Sequence, residues 1–203
     1  MRRLIIISLN ADPIRSFGTE HGGGQAKYIL ELGKNLVLAG WCIDVITIKN
    51  YGHSEIQCIT ENFNIYRFSL PRHKDYSYSI NESDIEFLSK NVIKFLRQNH
   101  FSYDLIFCCY WLSGIVGLKI KNEFLKNVLI SFCSLGYFKK MGSKQPINIE
   151  SRIATEIIIA KKVDHIIATS KEEKKVLTSI YKVSPDKISI IPRGIDLNVF
   201  YKF

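Results

Sequence analysis

The chain is 203 residues long, carries 28 Lys and Arg against 19 Asp and Glu, and is 46% hydrophobic and 23% charged. That is the size of one sizeable domain with enough apolar residues to bury a core, which excludes intrinsic disorder, collagen, coiled-coil and low-complexity architectures. The formal net charge of +9 suits anionic partners such as nucleotide phosphates, acidic lipid headgroups or nucleic acid. Charge alone does not choose among them, and lysines such as Lys171, Lys174 and Lys175 fit a solvated helix face equally well.

Met1-Arg2-Arg3 followed by Leu4-Ile5-Ile6-Ile7 imitates a secretory signal, but the apolar run stops at Ser8 and Asn10. It is too short for a signal core and reads as a buried strand. No segment approaches the roughly 18 consecutive apolar residues of a spanning helix. The five cysteines, Cys42, Cys58, Cys108, Cys109 and Cys133, are odd in number and lack CxxC spacing. They predict neither a disulfide framework nor a zinc knuckle, and suit a reducing cytosol.

In chain order, apolar runs rich in β-branched residues predict strands at Leu4–Leu9, Cys42–Ile48, Asn64–Phe68, Asp104–Tyr110, Val128–Cys133, His165–Thr169 and Ile188–Ile191. Most are apolar on both faces, as a helix-covered parallel sheet requires. Between the first two, Gln25–Ala39 places Ile29, Leu32, Leu36 and Val37 at helical spacing, with Gly40 as the stop. Asn50–Asn81 is polar, aromatic and without period, and predicts one short strand and a loop. Asn81 and Asp84 then open a helix with the apolar face Ile85, Leu88, Val92 and Phe95, and Ser170 with Glu173 has capping-box spacing ahead of Val176, Leu177 and Ile180. This alternation predicts a Rossmann-like, doubly wound α/β domain with a mostly parallel sheet of about seven strands and helices on both faces. The domain is expected to span residues 1–195. The Pro192-Arg193-Gly194 turn after the last strand leads into 196–203, the expected start of an interdomain linker.

Ligands of such sheets bind beyond the carboxyl ends of the strands, near the switch in strand order. Three loops there can carry chemistry. In His21-Gly22-Gly23-Gly24-Gln25 the glycines allow close backbone approach, and the following helix N-terminus favours an anion such as a phosphate; a plain flexible loop is the alternative. In Cys108-Cys109-Tyr110-Trp111 the two aromatics can stack on a sugar or base, or simply cap the core. Ser131-Phe132-Cys133-Ser134-Leu135-Gly136 ends the next strand, with Lys139 and Lys140 placed to serve a phosphate or solvent. Arg152 and Glu156, four apart on a helical segment, are either an intrahelical ion pair or a carboxylate directed into a cleft. His53, His73, His100 and His165 share no spacing that builds a metal site or a nucleophilic triad. A nicotinamide-dependent oxidoreductase is disfavoured, because the loop is not GxGxxG and Thr47-Ile48-Lys49 lacks the ribose-binding acid. Nucleic-acid binding is disfavoured by the absence of helix-turn-helix and RNP patterns.

Taken together, Gly23-Gly24-Gln25-Ala26-Lys27-Tyr28, Tyr110-Trp111-Leu112-Ser113-Gly114, Ser134-Leu135-Gly136-Tyr137-Phe138-Lys139, Arg152-Ile153-Ala154-Thr155-Glu156 and Ile191-Pro192-Arg193-Gly194-Ile195-Asp196 resemble, in order, motifs of a known group. They are similar to the N-terminal half of the family 4 retaining glycosyltransferases of GT-B fold, and among these to the sucrose-phosphate synthase and sucrose synthase group. The resemblance implies an acceptor-side domain of a hexosyltransferase that transfers a hexose from a nucleotide sugar to a sugar, sugar-phosphate or lipid-linked acceptor. It implies a UDP- or GDP-linked hexose such as UDP-glucose as co-substrate and no resident cofactor or metal. The second, nucleotide-sugar-binding domain is expected to be missing from the 203 residues, so that the chain alone should not turn over. The implied substrate-binding residues are Gly22, Gly23, Gly24, Gln25, Lys27, Cys109, Tyr110, Trp111, Cys133, Ser134, Leu135, Lys139, Glu156, Arg193 and Gly194, with catalytic residues unassigned.

Cys109 and Cys133 depart from the histidines that the group carries before Tyr-Trp and before Ser-Leu-Gly. A neutral thiol does not reproduce the imidazole donor and acceptor pair. This leaves open a second reading, a degenerate, non-catalytic module that binds a sugar or sugar phosphate or regulates. The expected partners are the nucleotide-sugar donor, the acceptor, the second domain in cis or in trans, and weakly an anionic membrane surface, with no nucleic acid. The expected location is the cytoplasm, with peripheral contact at the inner face of the membrane as its extension.

Overall fold

The computed structural model describes residues 1–14, 23–49, 54–71, 80–142 and 148–195. Eight strands form one sheet in the order β3-β4-β2-β1-β5-β6-β7-β8. They are β1 (Arg2–Ile7), β2 (Trp41–Ile48), β3 (Ile56–Thr60), β4 (Phe63–Phe68), β5 (Leu105–Cys109), β6 (Asn127–Ser131), β7 (His165–Ala168) and β8 (Ile188–Ile190). All neighbours are parallel except β3, which pairs antiparallel with β4. The chain runs outward from β1 through β2 to β4, then returns to the other side of β1 at β5. The switch in strand order therefore lies between β1 and β5, the place where sheets of this kind open a crevice at the carboxyl edge.

The helices are α1 (Gly23–Leu38), α2 (Glu82–Gln98), α3 (Trp111–Phe124), α4 (Gly136–Lys140), α5 (Ile149–Lys162) and α6 (Lys171–Ser179). Strand side chains alternate between two cores. Ile5, Ile7, Ile46, Ile106 and Cys108 pack under helices α2, α3, α5 and α6. Leu4, Ile6, Ile43, Val45, Phe107 and Cys109 pack under α1 through Ile29 and Leu30. Close packing is set by small residues: a Cβ at Gly33 would lie 2.5 Å from the Phe63 ring, and one at Gly117 would lie 2.2 Å from Cys108 Sγ.

Several expectations are corrected. The polar stretch before Asn81 holds two strands, β3 and β4, so the sheet has eight strands rather than about seven. β3 is an edge strand without a single buried residue, so it never displayed the apolar run by which the others were read. The first strand begins earlier, at Arg2, because Arg3 reaches the buried Asp44 carboxylate (3.3 Å) and stacks 4.6 Å from the Phe101 ring centroid. Val128–Cys133 ends as a strand at Ser131, since Cys133 adopts a left-handed φ of 60°. The expected strand Asp104–Tyr110 ends at Cys109, and Trp111 opens α3, a helix that was not expected. On α2 the capping box forms as expected, with Asn81 and Asp84 bonding reciprocally. At α6 only half of it forms: Ser170 Oγ accepts from the Glu173 N–H, while Glu173 Oε2 accepts from the Thr169 N–H (2.7 Å) instead of from the cap residue.

Candidate substrate-binding site at the sheet switch

The crevice is built first by the loop leaving β1. The Ser8 hydroxyl donates to the Ala11 carbonyl (2.7 Å) and accepts from Gln25 Nε2 on α1 (3.2 Å), while the Leu9 N–H donates to Ser113 Oγ on α3 (3.1 Å). Ser8 and Ser113 are fully buried. These short polar side chains hold the switch loop between two helix N-termini. Asp12 closes the loop with a two-pronged bond to the buried guanidinium of Arg67 on β4, at 2.5 and 3.1 Å. Gly23 and Gly24 begin α1 in the open, and a Cβ on either would meet no described atom within 4 Å. Their backbone N–H groups are among the first of the helix, which have no partner within it.

Two bulky residues at neighbouring strand ends occupy conformations that side chains avoid. Tyr110, after β5, has φ 81° and ψ 157°, a region held almost only by glycine, and Cys133, after β6, has φ 60°. Each such residue costs about 1–3 kcal/mol and persists where its surroundings enforce it, a pattern that clusters at ligand sites. Here the Tyr110 N–H donates to the Ser131 carbonyl (2.9 Å), and its ring lies 5.0 Å from the Arg152 guanidinium. Arg152 in turn donates to the Ser134 carbonyl (2.5 Å) and to Glu156 (2.8 Å).

The ion-pair reading of Arg152 and Glu156 is the one the structure realises. Glu156 is fully buried and accepts from the Gly136 N–H (2.8 Å) and the Tyr181 hydroxyl (2.5 Å) as well. Its carboxylate faces inward and positions Gly136 and Arg152. Burial and the Glu156 charge push the Tyr181 phenol well above its ordinary range.

A second group centres on Arg193, which follows β8. Its Nη2 lies 3.1 Å from Cys133 Sγ, and its guanidinium sits 3.9 Å over the Tyr28 ring of α1. Burial raises the Tyr28 phenol to about 12 against the lowering effect of Arg193. The Cys133 thiol is held below its ordinary range, first by the hydrogen bond that Cys109 donates to it and then by the Arg193 charge, while burial opposes both. That same bond, with burial, pushes Cys109 well up. Two donors at this edge, Trp111 Nε1 and Arg193 Nη1, are buried and have no hydrogen-bond partner among the described residues.

The structure thus gathers Gln25, Cys109, Tyr110, Trp111, Cys133, Ser134 and Arg193 around the crevice, with Gly23 and Gly24 at its rim. The other expected residues differ in exposure. Lys27 is exposed and bonds Glu31 along its own helix (3.0 Å), Lys139 and Gly194 are exposed, and Leu135 is a core residue. Gly22 and residues 196–203 lie outside the described residues. Ser8, Ser113, Tyr28 and Tyr181 were missed. Ser8, which interrupts the first apolar run, and Tyr28, three residues after Gln25 on α1, left a signal. No group of three or more His, Cys, Asp or Glu could hold a metal ion among the described residues. No helix there is long and apolar enough to cross a membrane.

The chain is similar to known proteins over nearly its whole length. It is 25% identical over 98% of its residues to D-inositol 3-phosphate glycosyltransferase of Corynebacterium glutamicum (strain R), covering 48% of that protein. It is 27% identical over 91% of its residues to mannosylfructose-phosphate synthase of Agrobacterium fabrum, covering 43% of it. Its fold superposes with a TM-score of 0.82 and 27% identity on sucrose-phosphate synthase from Thermosynechococcus elongatus, over 100% of this chain and 51% of that one. The chain therefore spans about half the length of the relatives it matches, as an N-terminal half of a GT-B glycosyltransferase does. Over residues 22–199 the sequence matches Glycosyltransferase Family 4, and the chain belongs to that family.

Proposed function

We propose that this chain is the acceptor-side half of a retaining hexosyltransferase that moves a hexose from a UDP- or GDP-linked donor to a phosphorylated sugar or polyol. The observation that carries the reading is the pair of buried donors without a partner among the described residues, Trp111 Nε1 and Arg193 Nη1, beside the open glycine backbone at the sheet switch. A buried donor without a partner costs about 1–3 kcal/mol, a cost that an anionic or hydroxyl-rich ligand removes. All three relatives named above carry a phosphorylated sugar or inositol in their names, which favours a phosphorylated acceptor. The nucleotide sugar is a co-substrate, so the reading needs no resident cofactor. Its second half, which would hold most of the donor, acts in cis or in trans. The reading places the protein in the cytoplasm, where the +9 charge would favour weak contact with anionic lipid.

The test is calorimetric titration of the chain with UDP-glucose and with phosphorylated hexoses and inositols. Binding of a sugar or inositol phosphate, with little binding of the nucleotide sugar, is expected. If neither binds, and if joining the chain to the C-terminal half of a relative yields no transfer to any of these acceptors, the reading fails.

One observation favours a second reading, a sugar-binding module without catalysis. Cys109 and Cys133 stand where the resembling group carries histidines, and the Cys133 sulfur accepts from Arg193 (3.1 Å). Cys109→His with Cys133→His in the joined protein separates the two: a large gain in rate supports lost catalysis, and no change supports a working site built on thiols.

A further inference from the structure

All five cysteines are unpaired, and two of them meet at the crevice. Cys109 is the last residue of β5, and Ser131 of β6 stands opposite it in the ladder. The Ser131 carbonyl accepts the Tyr110 N–H (2.9 Å), and Cys133 Sγ lies 3.5 Å from the same oxygen. The left-handed backbone at Cys133 thus folds its sulfur back onto the end of β6, beside the end of β5.

The Arg193 guanidinium lies 3.1 Å from the Cys133 sulfur and the Cys109 thiol neighbours it, and both favour its thiolate, whereas the thiol form donates to the Ser131 carbonyl (3.5 Å). The charged and titratable groups facing it are Cys109 from β5, Tyr28 from α1 and Arg193 after β8. Cys133 is partly exposed, whereas Cys109 is completely buried. A partly exposed sulfur held beside a guanidinium, next to a buried thiol, is the division of labour of an attacking and a resolving cysteine.

We propose that Cys133 and Cys109 form a peroxide-sensitive dithiol, a modification site in which Cys133 is oxidised first and Cys109 resolves it to an intramolecular disulfide. In the first step the Cys133 thiolate attacks a hydroperoxide; an S–O bond forms, the O–O bond breaks, and the departing alkoxide or hydroxide takes a proton. In the second step the Cys109 sulfur attacks the Cys133 sulfenic acid; the S–S bond forms, the S–O bond breaks, and the hydroxyl leaves as water with the Cys109 proton. Two thiols and one hydroperoxide become one disulfide, one alcohol or water, and one further water. The two sulfurs supply the two electrons that the peroxide accepts. Oxidation takes from Arg193 a sulfur able to ionise and ties the ends of β5 and β6 together, so the crevice changes charge and shape in one event. This inference is independent of which sugar the site takes.

The test uses the reduced chain, hydrogen peroxide as oxidant, alkylation of remaining thiols, and peptide mapping by mass spectrometry. The expected result is a peptide pair linked through Cys109 and Cys133, two hydrogens lighter than the reduced pair and released by dithiothreitol. In Cys109→Ser the sulfenic acid on Cys133 should persist and be trapped by dimedone, and adding Arg193→Gln should slow its formation severalfold. Dimedone labelling of exposed Cys58 ahead of Cys133 would overturn the proposal. So would sulfinic acid on Cys133 of the unsubstituted chain with no linked peptide, a result that does not depend on any variant folding.

Discussion

Glu156 is the residue whose loss should be felt most clearly. Its carboxylate is completely buried and accepts from the Gly136 N–H at 2.8 and 3.2 Å, from the Tyr181 hydroxyl at 2.5 Å and from Arg152 Nε at 2.8 Å. In Glu156→Ala the Gly136 N–H and the Tyr181 hydroxyl become buried donors without partners, at about 1–3 kcal/mol each. Arg152 retains the Ser134 carbonyl and the Tyr110 ring and is 11% exposed, so its loss is smaller than that of a fully buried cation. The sum is about 4 kcal/mol, within the range of about 3–5 kcal/mol for breaking a buried pair. In a domain of this size each kcal/mol lowers the midpoint by about 2–4 °C, which gives a fall of about 8–16 °C. Glu156→Gln keeps one acceptor oxygen and should lose roughly half as much. Thermal unfolding followed by far-ultraviolet circular dichroism measures both. An alanine variant melting within about 3 °C of the parent would refute the view that this carboxylate holds α4, α5 and Tyr181 together.

Asp12→Ala strips the Arg67 guanidinium, whose side chain is 0% exposed, of this carboxylate and should cost about 3–5 kcal/mol in urea unfolding. Gly117→Ala drives a methyl to 2.2 Å from Cys108 Sγ and should destabilise by about 1–3 kcal/mol by the same measurement, whereas Gly24→Ala, which meets no described atom within 4 Å, should leave the midpoint unchanged while weakening sugar-phosphate binding in calorimetry. Tyr28 ionises at about 10 unfolded and about 12 folded, so its contribution is complete below pH 10 and lost as pH rises towards 12. Alkaline unfolding of Tyr28→Phe should accordingly fall less steeply than that of the parent across that window, and identical profiles would contradict the burial of the phenol.

Seven of the eight strands and helices α1, α2 and α6 were legible because their residues form apolar runs or stand at helical spacing, as at Ile5–Ile7 and at Ile85, Leu88 and Val92, whereas α3 was not expected. β3 escaped because an edge strand needs no apolar face. Strand ends were misjudged at Arg2 and Cys133 for a different reason: the contacts there, Arg3 with Asp44 and Cys133 with Arg193, join residues far apart in the chain. The same limit governs the site. Glycines and aromatics in loops mark the crevice in the sequence, but the inward turn of Glu156 depends on Tyr181, 25 residues away, and the seat of Arg193 on Tyr28 depends on the whole sheet being assembled between them.

Arg193 also ties the crevice to the weakest margin of the sheet. β8 is three residues long, only its first is buried, and Ile191 extends its pairing through one bond to the Ala168 carbonyl (2.8 Å). From that margin the chain doubles back to lay Arg193 across Cys133 and Tyr28. Short outer strands open locally at far lower free energy than the whole domain unfolds. Each fraying of β8 withdraws the guanidinium and leaves the Cys133 sulfur and the Tyr28 ring uncovered. Amide exchange at Ile190 and Ile191 and the accessibility of Cys133 should then share one opening rate, the edge of the sheet acting as the shutter of its centre.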